Sequence, residues 1–224
     1  MTALIQTHET ATSTRQLSWA AHHGVLRATL EHDIRSGFRK AFDAEIKHFY
    51  PLLSTLKLTC GQCSLGLRLA GKHELFVEQY LQHSIELTIG AHQIGRSTLG
   101  QHARFEIAEL GNLVSTHRKA SLLHFVIVTQ ALTAYGIRYL TFAATSQVRA
   151  LLSLLQVPVH ILADATDDIK GAADYGSYYQ QQPKVCVVEL ADANQVIRKT
   201  ALFRRYVEQY RNETEYLLEG LRYA

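Results

Sequence analysis

The residues of this chain best suited to proton chemistry lie in one run, FEIAELGNLV, from Phe105 to Val114. The run is mostly apolar and reads as the end of a strand starting near Ala103, with a bulge or bend where Gly111-Asn112 interrupts it. Side chains alternate across a strand, so Glu106 and Glu109 fall on opposite faces and one of them should point inward. A carboxylate in a core has to be paired, protonated or put to use, because burying it alone costs on the order of several kcal/mol. Glu109, nearest the break, is the candidate; an exposed carboxylate or a structural ion pair is the alternative reading.

A second region follows directly, Ser115-Thr116-His117-Arg118-Lys119-Ala120-Ser121. A strand running into a helix start offers unpaired N–H groups and a positive dipole end, which suit a phosphate, and Arg118 and Lys119 add charge. The junction is poor in glycine, so an ordinary solvated helix start accounts for it almost as well. The third region is Asp174-Tyr175-Gly176-Ser177-Tyr178-Tyr179, whose tyrosines are either loop anchors or proton donors. Asp164 closes a strand at its C-terminal end, where open α/β sheets hold ligands, or else merely begins a turn.

Other chemistry finds less support. His117 and His124 share a helical face but have no third ligand in register, so no metal is expected. Cys60-Gly61-Gln62-Cys63 is followed by an alternating strand and not by the helix of a redox motif, which favours two small turn or strand cysteines. No GxSxG or HExxH stretch occurs, which removes support from hydrolase readings.

The elements that would position these residues can be traced along the chain. Residues 1–24 are polar and read as a flexible N-terminal extension carrying Trp19, either a buried anchor or a lid. Residues 25–31 alternate like a half-exposed strand, and Asp33 is a plausible N-cap for a helix whose apolar face is Ile34, Phe38, Phe42, Ile46 and Phe49. Residues 55–59 and 64–70 make a hairpin around Gly61. A short helix over 74–81, a strand over 85–89 and a loop over 90–100 come next. Beyond the central strand the pattern predicts a helix at 118–135 closed by Gly136, a strand at 139–143, a helix at 146–156 and a strand at 159–163. That β-α-β-α-β order is the mark of parallel strands with helical crossovers. A last strand at 185–190 leads into a long amphipathic helix. The expected division is an extension over 1–24, a domain over 25–192 and a C-terminal helix over 193–224 packed on the same domain.

Composition is that of an ordinary globular chain, with 47% apolar and 19% charged residues over a length of 224. A net charge of +3 is too small for wholesale nucleic-acid binding, so no nucleic-acid partner is expected. The N-terminus does not read as a secretory signal and the three cysteines suit a reducing compartment, so a cytoplasmic location is expected. The longest apolar region, 122–137, is broken by Thr129, Gln130 and Thr133 and is too short to span a bilayer.

The blocks ELFVEQYL with Ser84-Ile85-Glu86, IAELGNLVS, YLTFAAT, LADA and YGSYYQQQPKV follow one another in an order that resembles the thermostable-haemolysin family over residues 34–190. The family is in turn similar to the acyl-homoserine-lactone synthases, which implies an α/β, GNAT-like mixed central sheet flanked by helices, with a gap between splayed strands at Gly111. The resemblance implies N-acyl transfer from acyl-CoA or an acyl carrier protein to a small-molecule amine acceptor. It implies Glu109, Tyr178 and Tyr179 as catalytic residues, with Asn112, Leu113, Val114, Arg118 and Lys119 holding the donor. Glu78, Tyr80, Glu86, Asp164 and Gly176 would then contact substrate. Two alternatives stay open. One is a hemolysin-type membrane-active protein in peripheral contact with a bilayer; the other is a catalytically inactive acyl-CoA-binding module.

Overall fold

The computed structural model describes residues 16–92, 94 and 101–224; residues 1–15 and most of the expected loop over 90–100 fall outside that range. Leu17–Ala20, which fall in the stretch expected as a flexible extension, form strand β1. Trp19 is an anchor: its ring packs against Tyr216 and Tyr223 at 5.5 and 5.8 Å.

Residues 25–31, expected as a strand, open helix α1 (Val25–Phe42). Their alternation marks no buried face, since Val25 is 88% exposed, whereas Leu30, Ile34 and Phe38 bury a stripe at four-residue spacing. Gly24 holds the N-cap position, and Asp33 lies inside the helix. Strands β2 (Leu52–Leu58) and β3 (Gly61–Leu69) form the expected hairpin. Cys60 is exposed and Cys63 buried, both as free thiols, and burial pushes the Cys63 thiol up to about 12. A 3₁₀ segment, Phe76–Tyr80, takes the place of the expected short helix. Residues 85–89 begin helix α2 (Ile85–Ala91) and not a strand, because Ile85 and Ile89 lie one turn apart and are both fully buried.

The central strand β4 (Ile107–Ser115) starts later than expected, after a 3₁₀ segment, Gln101–Glu106. Helix α3 (Arg118–Tyr135), capped by left-handed Gly136, then leads into β5 (Tyr139–Ala144), α4 (Ser146–Leu154) and β6 (His160–Asp164), as the pattern predicts. The polar stretch folds as a 3₁₀ segment, Ala172–Gln181, kinked at Gly176, before β7 (Lys184–Glu189). The C-terminal helical tail is present in three pieces, α5 (Leu190–Lys199), α6 (Ala201–Gln209) and α7 (Arg211–Gly220). It turns at Thr200 and Tyr210, whose backbones leave the helical region.

The strands form one mixed sheet in the order β1-β2-β3-β4-β5-β7-β6. The β4-α3-β5 crossover gives the expected parallel pair. The second crossover does not, because β7 inserts antiparallel between β5 and β6. On one face, α3 and the C-terminal helices pack on Leu52, Leu56, Leu67, Leu110, Leu140 and Phe142. On the other, α1 packs on Leu53 and Tyr50. The layering is the mixed central sheet flanked by helices that was expected, with helices on both faces.

The parallel pairing of β4 with β5 extends only over Ile107–Tyr139, Ala108–Leu140 and Glu109–Thr141. Past Glu109 the two strands part. At that point β4 also slips against β3, between the pairs Gly66–Gly111 and Ser64–Val114, and Asn112 takes φ 50°. This is the bulge anticipated at Gly111-Asn112.

Candidate active site

Glu109 is fully buried, on the face of the sheet turned toward α1, while Glu106 lies outside in an ion pair with Arg138 at 3.2 Å. The carboxylate is held by the turn that follows β3: the backbone N–H of Phe76 donates to Oε2 at 2.7 Å and that of Val77 to Oε1 at 2.9 Å. The Tyr50 hydroxyl lies over Gly111, two residues along the strand, and its hydrogen bonding lowers the carboxyl further. Burial raises the carboxyl, these donors and the nearby Arg68 charge oppose it, and the balance leaves Glu109 at about 7. A group that titrates there can take up and return a proton near neutrality.

Tyr50 reaches this position because several groups fix it. Its N–H donates to Asn112 Oδ1 at 2.9 Å, and its carbonyl accepts from Arg27 Nη2 at 2.8 Å. Its ring lies over the facing pair Gly66 and Gly111: a Cβ at Gly111 would meet the ring at 2.4 Å and one at Gly66 would meet Tyr50 Cβ at 2.7 Å. Both glycines sit mid-strand because no side chain fits under that ring. The Arg68 guanidinium, opposite Glu109 in the ladder, stacks on the same ring with its Cζ 4.6 Å from the centroid.

A cavity of about 210 Å³ opens where β4 and β5 part. On the α1 side Tyr50, Phe76, Tyr80, Tyr175 and Tyr178 line it. It passes between Gly111 on β4 and Ala143 on β5 and continues beneath the opposite face, among Phe125 and Thr129 of α3, Leu152 of α4, Ala193 of α5 and Phe203 of α6. The lining is almost wholly apolar and aromatic. Such a lining suits an apolar ligand, with the tyrosine hydroxyls gathered at one end.

The residues singled out from sequence divide into groups. Leu113 and Tyr80 line the cavity. Asn112 borders it too, but its amide is committed to protein, with Nδ2 donating to the carbonyl of His48 at 3.3 Å in addition to the Tyr50 contact. Val114 lies apart from the cavity, against Gly37 of α1. Tyr178 lines the cavity and donates to the carbonyl of Ala143 at 3.1 Å, whereas Tyr179 is bonded to the Tyr80 hydroxyl at 2.9 Å and stands behind it. Burial holds the Tyr80, Tyr175 and Tyr178 phenols well above their ordinary range, so they stay protonated donors.

Glu78 and Glu86 form a brace away from the cavity. Arg104 bonds both Glu78 oxygens at 2.8 Å and Glu86 at 2.9 Å, while Glu78 also accepts the N–H groups of Leu75 and Ile85. Burial alone would raise Glu78, but Arg104 and those backbone donors outweigh it and hold the carboxyl below its ordinary value. The brace fixes the 3₁₀ turn that offers Phe76 and Val77 to Glu109. Gly176 also acts at a distance: with φ 54° it lets the tyrosine segment sit against the end of α1, where a Cβ would fall 2.2 Å from the Phe42 carbonyl oxygen. Asp164 is paired with Lys184 on the outer strands and does not border the cavity.

Arg118 and Lys119 are exposed at the start of α3, about one turn before the cavity-lining Leu122. His117 supplies the cap, its Nδ1 accepting the Lys119 N–H at 3.2 Å. His124 does not join His117: it is buried between Ser54 Oγ at 3.0 Å and the Cys63 carbonyl at 2.9 Å, and burial lowers it to about 4. No helix among the described residues is long and apolar enough to cross a membrane. Tyr50 and Arg68 escaped sequence reasoning; the available signal was the pair of glycines inside adjoining strands, which together mark a large side chain lying across them.

The fold and cavity thus describe a mixed α/β protein with an apolar passage through its sheet. The sequence matches the family model described as thermostable hemolysin over residues 20–194, and the chain belongs to that family. Comparison with curated proteins gives no match. Among solved structures the protein is similar to FeeM, an N-acyl amino acid synthase from uncultured soil microbes, with 13% identity, 85% of this chain and 98% of that chain covered, and a TM-score of 0.49. It is similar also to BjaI, a CoA-dependent acyl-homoserine lactone synthase, with 9% identity, coverage of 82% and 87%, and a TM-score of 0.49. LasI, an AHL synthase, gives 11% identity, coverage of 78% and 88%, and a TM-score of 0.45.

Proposed function

We propose that the protein is an N-acyltransferase that moves an acyl group from a thioester donor, acyl-CoA or an acyl carrier protein, to a small amine. The observation that carries this reading is the apolar passage between β4 and β5, which opens at its polar end beside the buried Glu109 system. The acyl chain fills the passage. The thioester carbonyl lies where β4, beyond Glu109, has no ladder partner on its β5 side, so that N–H groups near Leu113 are free to polarise it. Arg118 and Lys119 at the start of α3 attract the phosphate groups of the donor.

In the reaction the neutral amine attacks the carbonyl carbon, the new C–N bond forms and the C–S bond breaks. Glu109 is the final acceptor of the amine proton. Tyr178 faces the cavity with its proton held tightly by burial, so its role is to turn its O–H from the Ala143 carbonyl to the departing thiolate as a hydrogen-bond donor and not to surrender the proton. The thiolate then takes a proton from water.

The test is direct. The purified chain is incubated with acyl-CoAs of increasing length and a pool of amines, and free thiol and N-acyl products are measured together. Thiol release matched by amide formation supports the reading. Stabilisation by acyl-CoA without turnover points to a binding module, and neither binding nor turnover with any thioester overturns the proposal.

A further inference from the structure

Glu109 is fully buried and does not border the cavity, whereas Tyr50 does. We infer that Tyr50 is the catalytic residue that meets the amine, and that its hydroxyl relays the proton between the amine and Glu109. The inference rests on the acyl-transfer reading above and deepens it by naming the group through which the buried carboxylate acts.

Geometry argues for the relay. Each Glu109 oxygen accepts a backbone N–H, from Phe76 or Val77, and the carboxylate itself does not border the passage. Tyr50 stands on the cavity side, its hydroxyl over Gly111, 2.6 Å from where a Cβ would stand and two residues along the strand from Glu109, and its hydrogen bonding lowers the Glu109 carboxyl. The strand pair carries glycine at both positions under the ring, the backbone on both sides of the tyrosine is bonded to Asn112 and Arg27, and Arg68 stacks on the ring. A packing residue needs no such fixing; a hydroxyl that has to stay aligned between a substrate atom and a buried base does.

The step balances without another reactant. As the amine nitrogen bonds to the carbonyl carbon, one N–H proton passes to Tyr50 Oη, and the phenolic proton passes to the Glu109 carboxylate. Tyr50 ends as it began, and the electron pair of the C–S bond leaves on sulfur. The tyrosine never exists as a free phenolate, consistent with burial and the Glu109 charge, which keep its proton bound.

Tyr50→Phe removes the hydroxyl and keeps the ring, the backbone bonds and the stacking. The expected result is a fall in kcat of roughly 10²-fold or more with KM for acyl-CoA little changed, loss of the pH limb near neutrality, and no further loss when Glu109→Gln is added. Turnover and pH profile like the parent chain would overturn the relay. If the parent chain transfers no acyl group to any amine, the acyl-transfer reading fails. The contact is then decided by the Glu109 carboxyl titration, followed by carbon NMR in both chains. A higher midpoint in Tyr50→Phe upholds the Tyr50–Glu109 link, and identical midpoints overturn it.

Discussion

The backbone N–H of Tyr50 donates to the side-chain oxygen of Asn112 at 2.9 Å, and this contact joins the entrance of β2 to the bulge of β4. Asn112 can make it because the bulge turns its backbone to φ 50°, a conformation asparagine tolerates better than most residues. The same distortion sends β4 away from β5. The break that opens the passage and the bond that fixes Tyr50 beside it are therefore one local event.

Asn112→Ala removes two hydrogen bonds and leaves an alanine in the left-handed region. The expected loss is about 2–4 kcal/mol of unfolding free energy, read from urea denaturation. Acyl transfer should fall with it, because Tyr50 and the strand gap both lose their support.

Gly111→Ala places a methyl group 2.4 Å from the Tyr50 ring, in a region with no room to yield toward the sheet. A destabilisation of about 1–3 kcal/mol is expected. Gly90, where a Cβ would meet nothing within 4 Å, provides the contrast: Gly90→Ala should leave the melting temperature unchanged or higher.

The pH dependence follows from Glu109, which burial lifts to about 7. As the final base it has to be ionised, so kcat/KM should rise with pH through about 7 and level above it. Stability runs the other way. The folded carboxyl binds its proton more tightly than the unfolded one, so below about pH 4.5 both states hold it and no penalty exists. Between there and about pH 7 the unfolded state ionises first, and native stability falls before levelling off. Urea titrations from pH 5 to 8.5 should show the parent chain losing stability relative to Glu109→Gln as pH rises. In that variant the new amide also turns its own NH₂ toward one of the two backbone N–H donors, so it should start from a lower baseline by about 1–3 kcal/mol.

In the proposed reaction the far end of the passage sets the acyl chain length. Ala193→Phe fills space beneath α5, so the variant should prefer shorter acyl-CoAs. Each methylene denied burial weakens binding by about 0.8 kcal/mol, close to fourfold per carbon. An unchanged preference across the acyl-CoA series would mean the chain lies elsewhere.

Much of this architecture was legible in the residues themselves. Helix α3, β5, α4 and β6 follow from long periodic segments with a clear glycine stop, and Glu109 was marked as the strand carboxylate nearest the break at Gly111-Asn112. Two errors share one cause, that alternation over a few residues fits a helix as well as a strand: α1 begins in VLRATLE, and Ile85 and Ile89 share a helical turn. The site was harder to see because its parts come from distant places. Tyr50 is brought to Glu109 by a bond to Asn112, and Glu78 supports the same carboxylate only through the turn it braces. Such contacts leave no period in the sequence. Glu78, Glu86 and Gly176 stand out as unusual residues, yet they hold the frame and leave the cavity to the tyrosines.

The family name carries a second expectation, direct lysis of membranes, whereas the proposed reaction makes an N-acylated amine. One measurement separates them and tests the central claim: mass spectrometry of lipids from cells overproducing the parent chain or Glu109→Gln, paired with addition of each purified protein to erythrocytes without an acyl donor. The account predicts N-acylated amines that accumulate with the parent chain and drop at least about 10²-fold with the variant, with no lysis by either purified protein. Identical lipid profiles, or lysis by purified protein in the absence of donor, would contradict it.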